Sequence, residues 1–428
     1  MPKNRQPSLL VPSGTSADQS QASNECLITV PFGSHTLTSH FQPIYGLSAQ
    51  RSVGYEALLR PFAADGTAVS PLTLLNSQQG AMRQKLDQLC HFLHLSNYQS
   101  ISKQNDWLFL NMNPHVFLQA RKAPSNDSFG NMLAKLDFPP QRLVIEVLEE
   151  AVRDDAEFGS AVAFFRELGC LIALDDFGAG SSNFDRVWKI RPQIVKLDRS
   201  LILQAAQEKR IRRLLPQIVS LLHEAGAMVL VEGVETEDEA YIALDSDVDF
   251  AQGYLFGRPQ PHLVDRKQGE KVIRGLWSDF DARIRQERKQ HHQALAPYLN
   301  AIGYASVLLS AGRSMGEACS SFLDLTQSDF CYLLDHNGRQ IGSNLWSPYT
   351  TRNIDQRLAP LVDTQGSRWS RRPYFRRAIE HFGKPQVTRP YLSISSASLC
   401  VTVSASFKVN GKTQVICGDV RIQQGLLD

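Results

Sequence analysis

Short apolar runs alternate with helix-like stretches between about residues 27 and 263, and this alternation restricts the fold more than any other feature. Helix-like stretches such as EFGSAVAFFRELG and KRIRRLLPQIVSLLHEAG end in glycine, as helices often do. The apolar runs have strand length and composition: 27–32, 36–47, 51–60, 107–113, 142–149, 170–176, 193–198, 227–235 and 250–257. Strand–helix alternation predicts a mostly parallel sheet, either a β/α barrel or a doubly wound open sheet.

Polar residues close nearly every strand-like run, and this favours the barrel. In a β/α barrel the carboxyl ends of the strands meet at one rim, which holds the active site. A single acid in such a place is commonly a turn or helix cap, but capping does not explain a series. The series is Glu56, Arg60, Asn111, Glu146, Glu149, Asp175, Asp176, Lys196, Glu232 and Gln252.

Four of these strand ends carry the oxygen ligands that magnesium and manganese prefer, namely Glu56, Asn111, Glu146 and Asp175. Asp176 would repel its neighbour Asp175 unless a cation lies between them, so the pair indicates one or two bound metals. Two metals can bind a phosphodiester and activate a water molecule for in-line attack.

The remaining rim residues suit the same chemistry. Lys196 can orient the water or stabilise developing negative charge. Glu232 can hold a second metal or a water. Arg60 lies four residues after Glu56 and so on the same strand face, where its guanidinium can bind a phosphate.

Glycines follow the aspartate pair in LDDFGAGSS. Gly178 and Gly180 allow a sharp turn. The turn is either a mobile element, a lid or a dimer sensor, or a plain strand-to-helix turn capped by Ser181 or Ser182, and the sequence leaves both open.

The order of these blocks resembles the EAL-domain cyclic-di-GMP phosphodiesterases. The signature Glu56-Ala57-Leu58 lies in YEALLRP. The other blocks are FQPIYGL, LFLNMNP, LVIEVLEE, LDDFGAGSS, IVKLD, LVEGVET and AQGYLFGRP. The resemblance covers about residues 27–263 and implies a modified (β/α)8 TIM-type barrel that hydrolyses cyclic-di-GMP to linear pGpG.

The resemblance also implies roles for individual residues. Metal ligands are Glu56, Asn111, Glu146, Asp175 and Asp176, for one or two Mg2+ or Mn2+ ions, and Ca2+ is expected to inhibit. Catalytic roles fall to Glu56, Lys196 and Glu232; substrate contacts to Gln42, Leu58, Arg60 and Gln252; and Glu149 anchors the loop after the aspartate pair. Since no catalytic position is substituted, an active enzyme is favoured over a cyclic-di-GMP receptor that cleaves weakly or not at all.

The loop after Asp176 departs from the usual family pattern. Ala179 stands where threonine is usual, and Ser181 stands where an aromatic residue is usual. These two substitutions are expected to affect loop stability, dimer communication and turnover rate more than metal binding. They are the reason for keeping the receptor alternative.

The second half of the chain has a different pattern. Residues 264–305 read as a connecting helix that Pro297 should interrupt. Residues 306–428 read as a smaller α+β module with an antiparallel sheet and Asn-Gly hairpin turns, similar to PAS-like or Cache-like sensor domains. Arg371, Arg372 and Tyr374 either bind a small anionic ligand or form a solvated turn.

Charge and composition limit the partners. The formal net charge is +2, which does not favour a nucleic-acid polymer as partner, and no apolar run reaches the roughly 20 residues that cross a bilayer. Residues 1–26 read as a disordered polar arm. The seven cysteines form no C-x-x-C motif and are expected to be reduced thiols in the cytoplasm, although a zinc site from distant residues stays open. A homodimer is expected. A third hypothesis is an interaction protein whose C-terminal module and connecting helix drive assembly.

Overall fold

The computed structural model describes residues 27–102, 105–121, 128–148, 156–180, 184–263, 266–350, 364–393, 395–396 and 398–422. The chain divides into two compact units, Met1–Trp277 and Ser278–Asp428. No helix in the described ranges is both long enough and apolar enough to cross a membrane.

The first unit is built on nine strands in sequential order. They are β1 (Val30–Phe32), β2 (His35–Gly46), β3 (Arg51–Ala63), β4 (Trp107–Asn111), β5 (Leu143–Leu148), β6 (Leu171–Phe177), β7 (Ile194–Leu197), β8 (Met228–Val231) and β9 (Phe250–Ala251). Strands β3 to β9 pair in parallel, whereas β2 is antiparallel to both β3 and β9. The β2–β9 pairing closes an eight-stranded barrel, so the TIM-type prediction is confirmed and the open sheet is excluded.

Helices follow most strands of the barrel. They are α1 (Pro71–Asn76), α2 (Gly80–Ile101), α3 (Pro114–Gln119), α4 (Phe129–Lys135), α5 (Ala156–Leu168), α6 (Phe184–Ile190), α7 (Arg199–Gln207), α8 (Lys209–Glu224) and α9 (Glu237–Asp245). The two helices predicted to end in glycine do so: Gly169 and Gly226, with φ of 99° and 87°, lie just beyond α5 and α8.

A ring of apolar side chains fills the barrel interior. It takes one buried residue from each of seven strands: Ile44, Phe109, Val144, Ala173, Ile194, Leu230 and Phe250. Because side chains alternate along a strand, the residue two positions further towards the rim points to the same interior. The apolar ring therefore determines which residues face the barrel mouth.

The second unit contains a six-stranded antiparallel sheet in the order β11-β10-β15-β14-β12, with β13 beside β14. Its strands are β10 (Ser328–Leu334), β11 (Gln340–Trp346), β12 (Gln386–Val387), β13 (Tyr391–Leu392), β14 (Leu399–Val409) and β15 (Lys412–Arg421). The helices are the end of α10 (Arg266–Ser310), α11 (Met315–Leu323) and α12 (Pro373–Glu380). The predicted hairpins are confirmed, and Asn410 and Gly411 both have positive φ, as a tight β-turn requires.

The prediction that Pro297 interrupts the connecting helix is wrong, because α10 runs through it. Proline removes one backbone hydrogen bond and crowds the preceding turn. On either side of it, Leu295, Tyr298 and Ile302 are buried in the apolar core of the second unit, and their packing holds the helix together across the break.

The cysteines in the described residues are free and buried: Cys90, Cys170, Cys319, Cys331, Cys400 and Cys417. This agrees with the expectation of reduced thiols. Cys26 and the predicted N-terminal arm lie outside the described residues.

Replacing Pro297 by alanine should stabilise the second unit by about 2 kcal/mol, since it removes a helix-interior proline, with the gain reduced by the more flexible unfolded chain. Thermal unfolding of the full chain measures this as a higher Tm. Asn300→Ala, at another exposed position of α10, is the control and should change stability by well under about 1 kcal/mol. A Tm that is unchanged or lower in Pro297→Ala would mean that the helix does not continue through residue 297 in solution.

Candidate active site

Polar side chains line the barrel mouth directly above the apolar ring. On β4 to β9, the residues two positions beyond the ring are Asn111, Glu146, Asp175, Lys196, Glu232 and Gln252. On antiparallel β2 the corresponding residue is Gln42, and Gln42 pairs in register with Glu56 of β3. Strand alternation alone therefore brings residues separated by two hundred positions to one rim.

Glu56 is held by two amide side chains. Nδ2 of Asn111 donates to Oε1 of Glu56 at 2.8 Å, and Nε2 of Gln252 donates to Oε2 at 2.7 Å. The same Nε2 of Gln252 lies 3.2 Å from Oε1 of Gln42, and Nε2 of Gln42 donates to the carbonyl of Gly257 at 3.2 Å. The carboxylate of Glu56 is thus fixed in orientation, while the amide oxygen of Asn111 is left as a potential metal ligand.

Lys196 lies at the centre of the acidic residues. Its Nζ is 2.5 Å from Oε1 of Glu146, 2.6 Å from Oε1 of Glu232, 3.1 Å from Oδ1 of Asp175 and 4.0 Å from Oε1 of Glu56. The side chain of Lys196 is 1% exposed. Burial alone would lower the pKa of this lysine, but the surrounding carboxylates raise it well above its usual value, so the ammonium stays protonated.

Negative charge exceeds positive charge at this mouth. Burial raises the pKa of Glu146 well above its usual value; Lys196 opposes this, and Glu56 and Asp175 add to it. The pKa of Glu232 is raised to about 7, first by burial and then, against the opposing effect of Lys196, by Asp175 and Glu56. Added positive charge would therefore be favourable here.

Adjacent strand residues normally face opposite sides, yet Asp175 and Asp176 both contribute to the rim. The pairing of β6 with β7 shifts register between Leu174 and Phe177, and Asp176 adopts a left-handed backbone with φ of 58°. Such a bulge re-aims a side chain. Carboxylate oxygens of Asp175, Asp176 and Glu232 consequently lie within 4.8 Å of one another, close enough to share a cation.

The donor set fits a hard divalent cation. Oε2 of Glu146 is buried and has no hydrogen-bond partner among the described residues, and the same holds for Oε1 of Gln252. A buried carboxylate oxygen without a partner is costly, and a bound cation would satisfy it. Carboxylate and amide oxygens with no thiolate or imidazole favour magnesium or manganese over zinc.

Three further residues, Arg60, Leu58 and Glu149, were assigned roles around the mouth. Arg60 is half-buried, and Nη1 donates to the carbonyl of Leu59 at 2.8 Å. Burial lowers the pKa of Arg60, while Tyr254 and Glu56 oppose this. Leu58 is half-buried on the same strand, and Glu149 lies outside the described residues.

The structure adds residues that sequence reasoning missed. The guanidinium of Arg258 lies 4.1 Å from the ring centre of Tyr254, whose side chain is 47% exposed. Both belong to the loop after β9. Their position in the sequence, just beyond a predicted strand end, could have indicated a place at the mouth. Exposed aromatic faces of this kind can stack on nucleobases.

The loops after β8 and β9 pack backbone to backbone. The amide of Val234 donates to the carbonyl of Gln252 at 3.0 Å, and the amide of Leu255 donates to the carbonyl of Val234 at 3.1 Å. Gly253 is required between them, because a Cβ there would collide with the backbone of Val234.

Residues 29–259 match the EAL domain family, and the chain therefore belongs to that family. Two curated relatives are RocR of Pseudomonas aeruginosa and PdeF of Escherichia coli, each named a cyclic di-GMP phosphodiesterase. The chain is 30% identical to RocR over 146 residues, which is 33% of this chain and 37% of RocR. It is 28% identical to PdeF over 237 residues, 54% of this chain and 31% of PdeF. The chain thus spans about a third of the length of these relatives.

Among solved structures, the chain resembles YkuI of Bacillus subtilis, a protein with an EAL domain crystallised with its substrate c-di-GMP and calcium. The TM-score is 0.74 at 19% identity, and the match covers 90% of this chain and 96% of YkuI. At this identity the likeness shows the fold alone. Because the match covers 90% of this chain, the shared fold extends beyond residues 29–259.

Gly178→Ala should destabilise the loop that follows the aspartate pair. Gly178 has φ of 102°, and a Cβ there would collide with the side chain of Leu201. We expect a cost of about 1–3 kcal/mol in unfolding free energy and weaker binding of Mn2+, measured by thermal unfolding with and without the ion.

The matched control for that variant is Gly180→Ala, where a Cβ meets nothing within 4 Å. It should leave both the stability and the Mn2+ response nearly unchanged. Equal behaviour of the two variants would contradict the described loop conformation.

Proposed function

We propose that the barrel hydrolyses cyclic-di-GMP to linear pGpG with Mg2+ or Mn2+ bound at its mouth. The observation that carries the proposal is the gathering of four carboxylates around Lys196 at one rim, with Asn111 bonded to one of them and with unsatisfied buried oxygens. The carboxylates are those of Glu56, Glu146, Asp175 and Glu232. The names of RocR and PdeF support the substrate assignment.

The residues that would hold a first cation are Glu56, Asn111, Glu146 and Asp175, and Asp176 and Glu232 would contribute to a second. A bound divalent ion supplies Lewis acidity and lowers the pKa of a coordinated water. The remaining functions belong to side chains of this chain.

Lys196 has two functions in this proposal. Its ammonium is 2.6 Å from Glu232, so both side chains are fixed in position next to the place of attack. There Lys196 orients the water and stabilises the charge that develops on the phosphoryl oxygens. The water oxygen bonds to phosphorus and keeps one proton, one P–O ester bond breaks, and the departing sugar oxygen takes up the other proton, so that the ring opens to the linear dinucleotide.

Substrate positioning falls to residues around the same rim. Gln252 and Asn111 fix the carboxylate of Glu56 through hydrogen bonds. Gln42, Leu58 and Arg60 contact the dinucleotide, with Arg60 directed to phosphate. Glu149 remains proposed as the anchor of the loop after the aspartate pair.

Glu56→Ala should reduce conversion of cyclic-di-GMP to pGpG at least about a hundredfold, because it removes one ligand and the group that Asn111 and Gln252 orient. Lys196→Met should lower turnover by a similar factor, although all the metal ligands remain. Chromatography of products over time in Mg2+ and in Mn2+ measures both, and circular dichroism checks the fold.

Glu224→Gln, an exposed carboxylate of α8, is the control and should turn over normally. With Ca2+ in place of Mg2+ we expect binding of the dinucleotide with little product, since calcium coordinates more loosely and at longer distance. Tight binding without product in Mg2+ and Mn2+ alike would identify a receptor instead of an enzyme.

We further propose that the second unit is a PAS-like or Cache-like sensor module that regulates the barrel through dimerisation, and that the protein acts in the cytoplasm. The antiparallel sheet with helices packed on it supports the first point, and buried reduced thiols suit a reducing compartment. On α10, Tyr304 and Val307 lie one turn apart and are 55% and 62% exposed, an apolar stripe that a second copy can cover.

Val307→Asp in the full chain should weaken the homodimer at least tenfold, because it places a charge in the apolar stripe. Light scattering across a dilution series measures the change, and Gln290→Asp, at an exposed position of α10 that lies more than about four turns before Val307 and off its face, is the control. A dimer that withstands Val307→Asp would place the interface elsewhere, and a monomeric parent chain would refute dimerisation.

A further inference from the structure

A pocket opens beside the antiparallel sheet of the second unit. The buried carboxylate of Asp419 on β15 forms part of it, three tyrosine rings (Tyr332, Tyr374 and Tyr391) form the walls, and Trp369 and Arg372 also line it. The empty space, including the mouth, is about 320 Å3. Because part of this space is open solvent, the pocket suits only a small ligand.

Asp419 has neutral partners only. Its side chain is 2% exposed, Oδ1 accepts a hydrogen bond from the hydroxyl of Thr402 at 2.8 Å, and Oδ2 lies 3.4 Å from the hydroxyl of Ser393. Within the described residues, no cationic side chain forms an ion pair with Asp419. Arg421 is the nearest candidate along the strand, but its Nε lies 3.8 Å from Asp329.

An ionised carboxylate in such surroundings is unfavourable. Burial raises the pKa of Asp419 to about 7, with Thr402 opposing and the neighbouring Asp329 adding to the rise. A buried charge is normally paired. A cationic group inside the pocket would supply the missing partner.

The walls are suited to the same kind of group. The ring centres of Tyr332 and Tyr374 are 6.0 Å apart and nearly perpendicular, and those of Tyr374 and Tyr391 are 6.3 Å apart and nearly parallel. The faces of aromatic rings attract cations, and rings grouped around a carboxylate are a common way to bind ammonium groups.

Arg372 offers a second contact, whose charge is opposite to that of Asp419. Its guanidinium carbon lies 6.0 Å from the ring centre of Tyr391, and its Nε is buried without a hydrogen-bond partner in the described part of the chain. A carboxylate on the ligand would satisfy this donor. Of the three residues that the sequence suggested for an anionic ligand, Arg372 and Tyr374 line the pocket and Arg371 is exposed.

We propose that this pocket binds a small organic ammonium compound, with the charged nitrogen against Asp419 and the tyrosine rings around it. The compound is either a simple amine or a zwitterion whose carboxylate reaches Arg372.

Isothermal titration calorimetry on the full chain, in slightly alkaline buffer, tests the proposal with three groups of probes. They are the common α-amino acids with glycine betaine, short alkylamines, and the carboxylic acids that lack the amine. Binding of at least one ammonium probe, with no binding of the matching carboxylic acid, is expected. Binding of no ammonium probe, or of the carboxylic acids equally well, would overturn the proposal.

Two variants locate the site. Asp419→Asn keeps the shape and the hydrogen bond from Thr402, and should weaken ammonium binding at least tenfold while Tm stays equal or rises. Asp324→Asn, an exposed carboxylate just after α11, is the matched control and should bind as the parent does. Unchanged affinity in a folded Asp419→Asn would refute the assignment.

Two further variants keep the proposal testable if Asp419→Asn does not fold, and they distinguish simple amines from zwitterions. Tyr391→Leu, at a half-buried position, should weaken every ammonium probe about tenfold even if Asp419→Asn does not fold. Arg372→Gln should weaken zwitterions and leave simple amines unaffected. Because the readout is heat of binding and involves no phosphodiester, failure of this proposal and failure of the proposed hydrolysis are separate results.

Discussion

The barrel mouth depends on one buried ammonium. Lys196 is surrounded by carboxylates from four other strands or strand ends, and its own side chain is almost wholly shielded from water. Removing one member of a buried ion pair typically costs about 3–5 kcal/mol. In this arrangement the lysine partly neutralises the acids, and the remaining negative charge favours a cation at the mouth. Structural support and the electrostatics of the mouth therefore rest on the same group.

Much of the candidate site could be predicted from the sequence, because strand alternation is a strong local signal. The same rule holds on β5 and β7, where apolar Val144 and Ile194 are followed two positions later by polar Glu146 and Lys196. The family signature added Gln42, which strand ends alone did not indicate, and the contact of Gln42 with Gln252 and that of Gln252 with Glu56 are now described.

Other features depend on contacts between distant residues and could not be predicted in this way. The left-handed backbone of Asp176 arises where β6 and β7 shift register. Pro297 was expected to break a helix on local propensity, but burial of its neighbours on both sides outweighs that propensity. Asp419 reads as an ordinary polar strand residue, and only the folded sheet places it beside three tyrosines with no ion-pair partner among the described residues.

Gly253, between the loops after β8 and β9, couples the movements of these two loops at the mouth. Because Gly253 lets the backbone of one loop bond directly to Val234 of the other, the two loops form a single brace. Glu232 precedes one half of this brace and Gln252 the other. A displacement of one loop is therefore passed to the other through these backbone hydrogen bonds, so a regulator acting on this side of the barrel would shift Glu232 and Gln252 in concert.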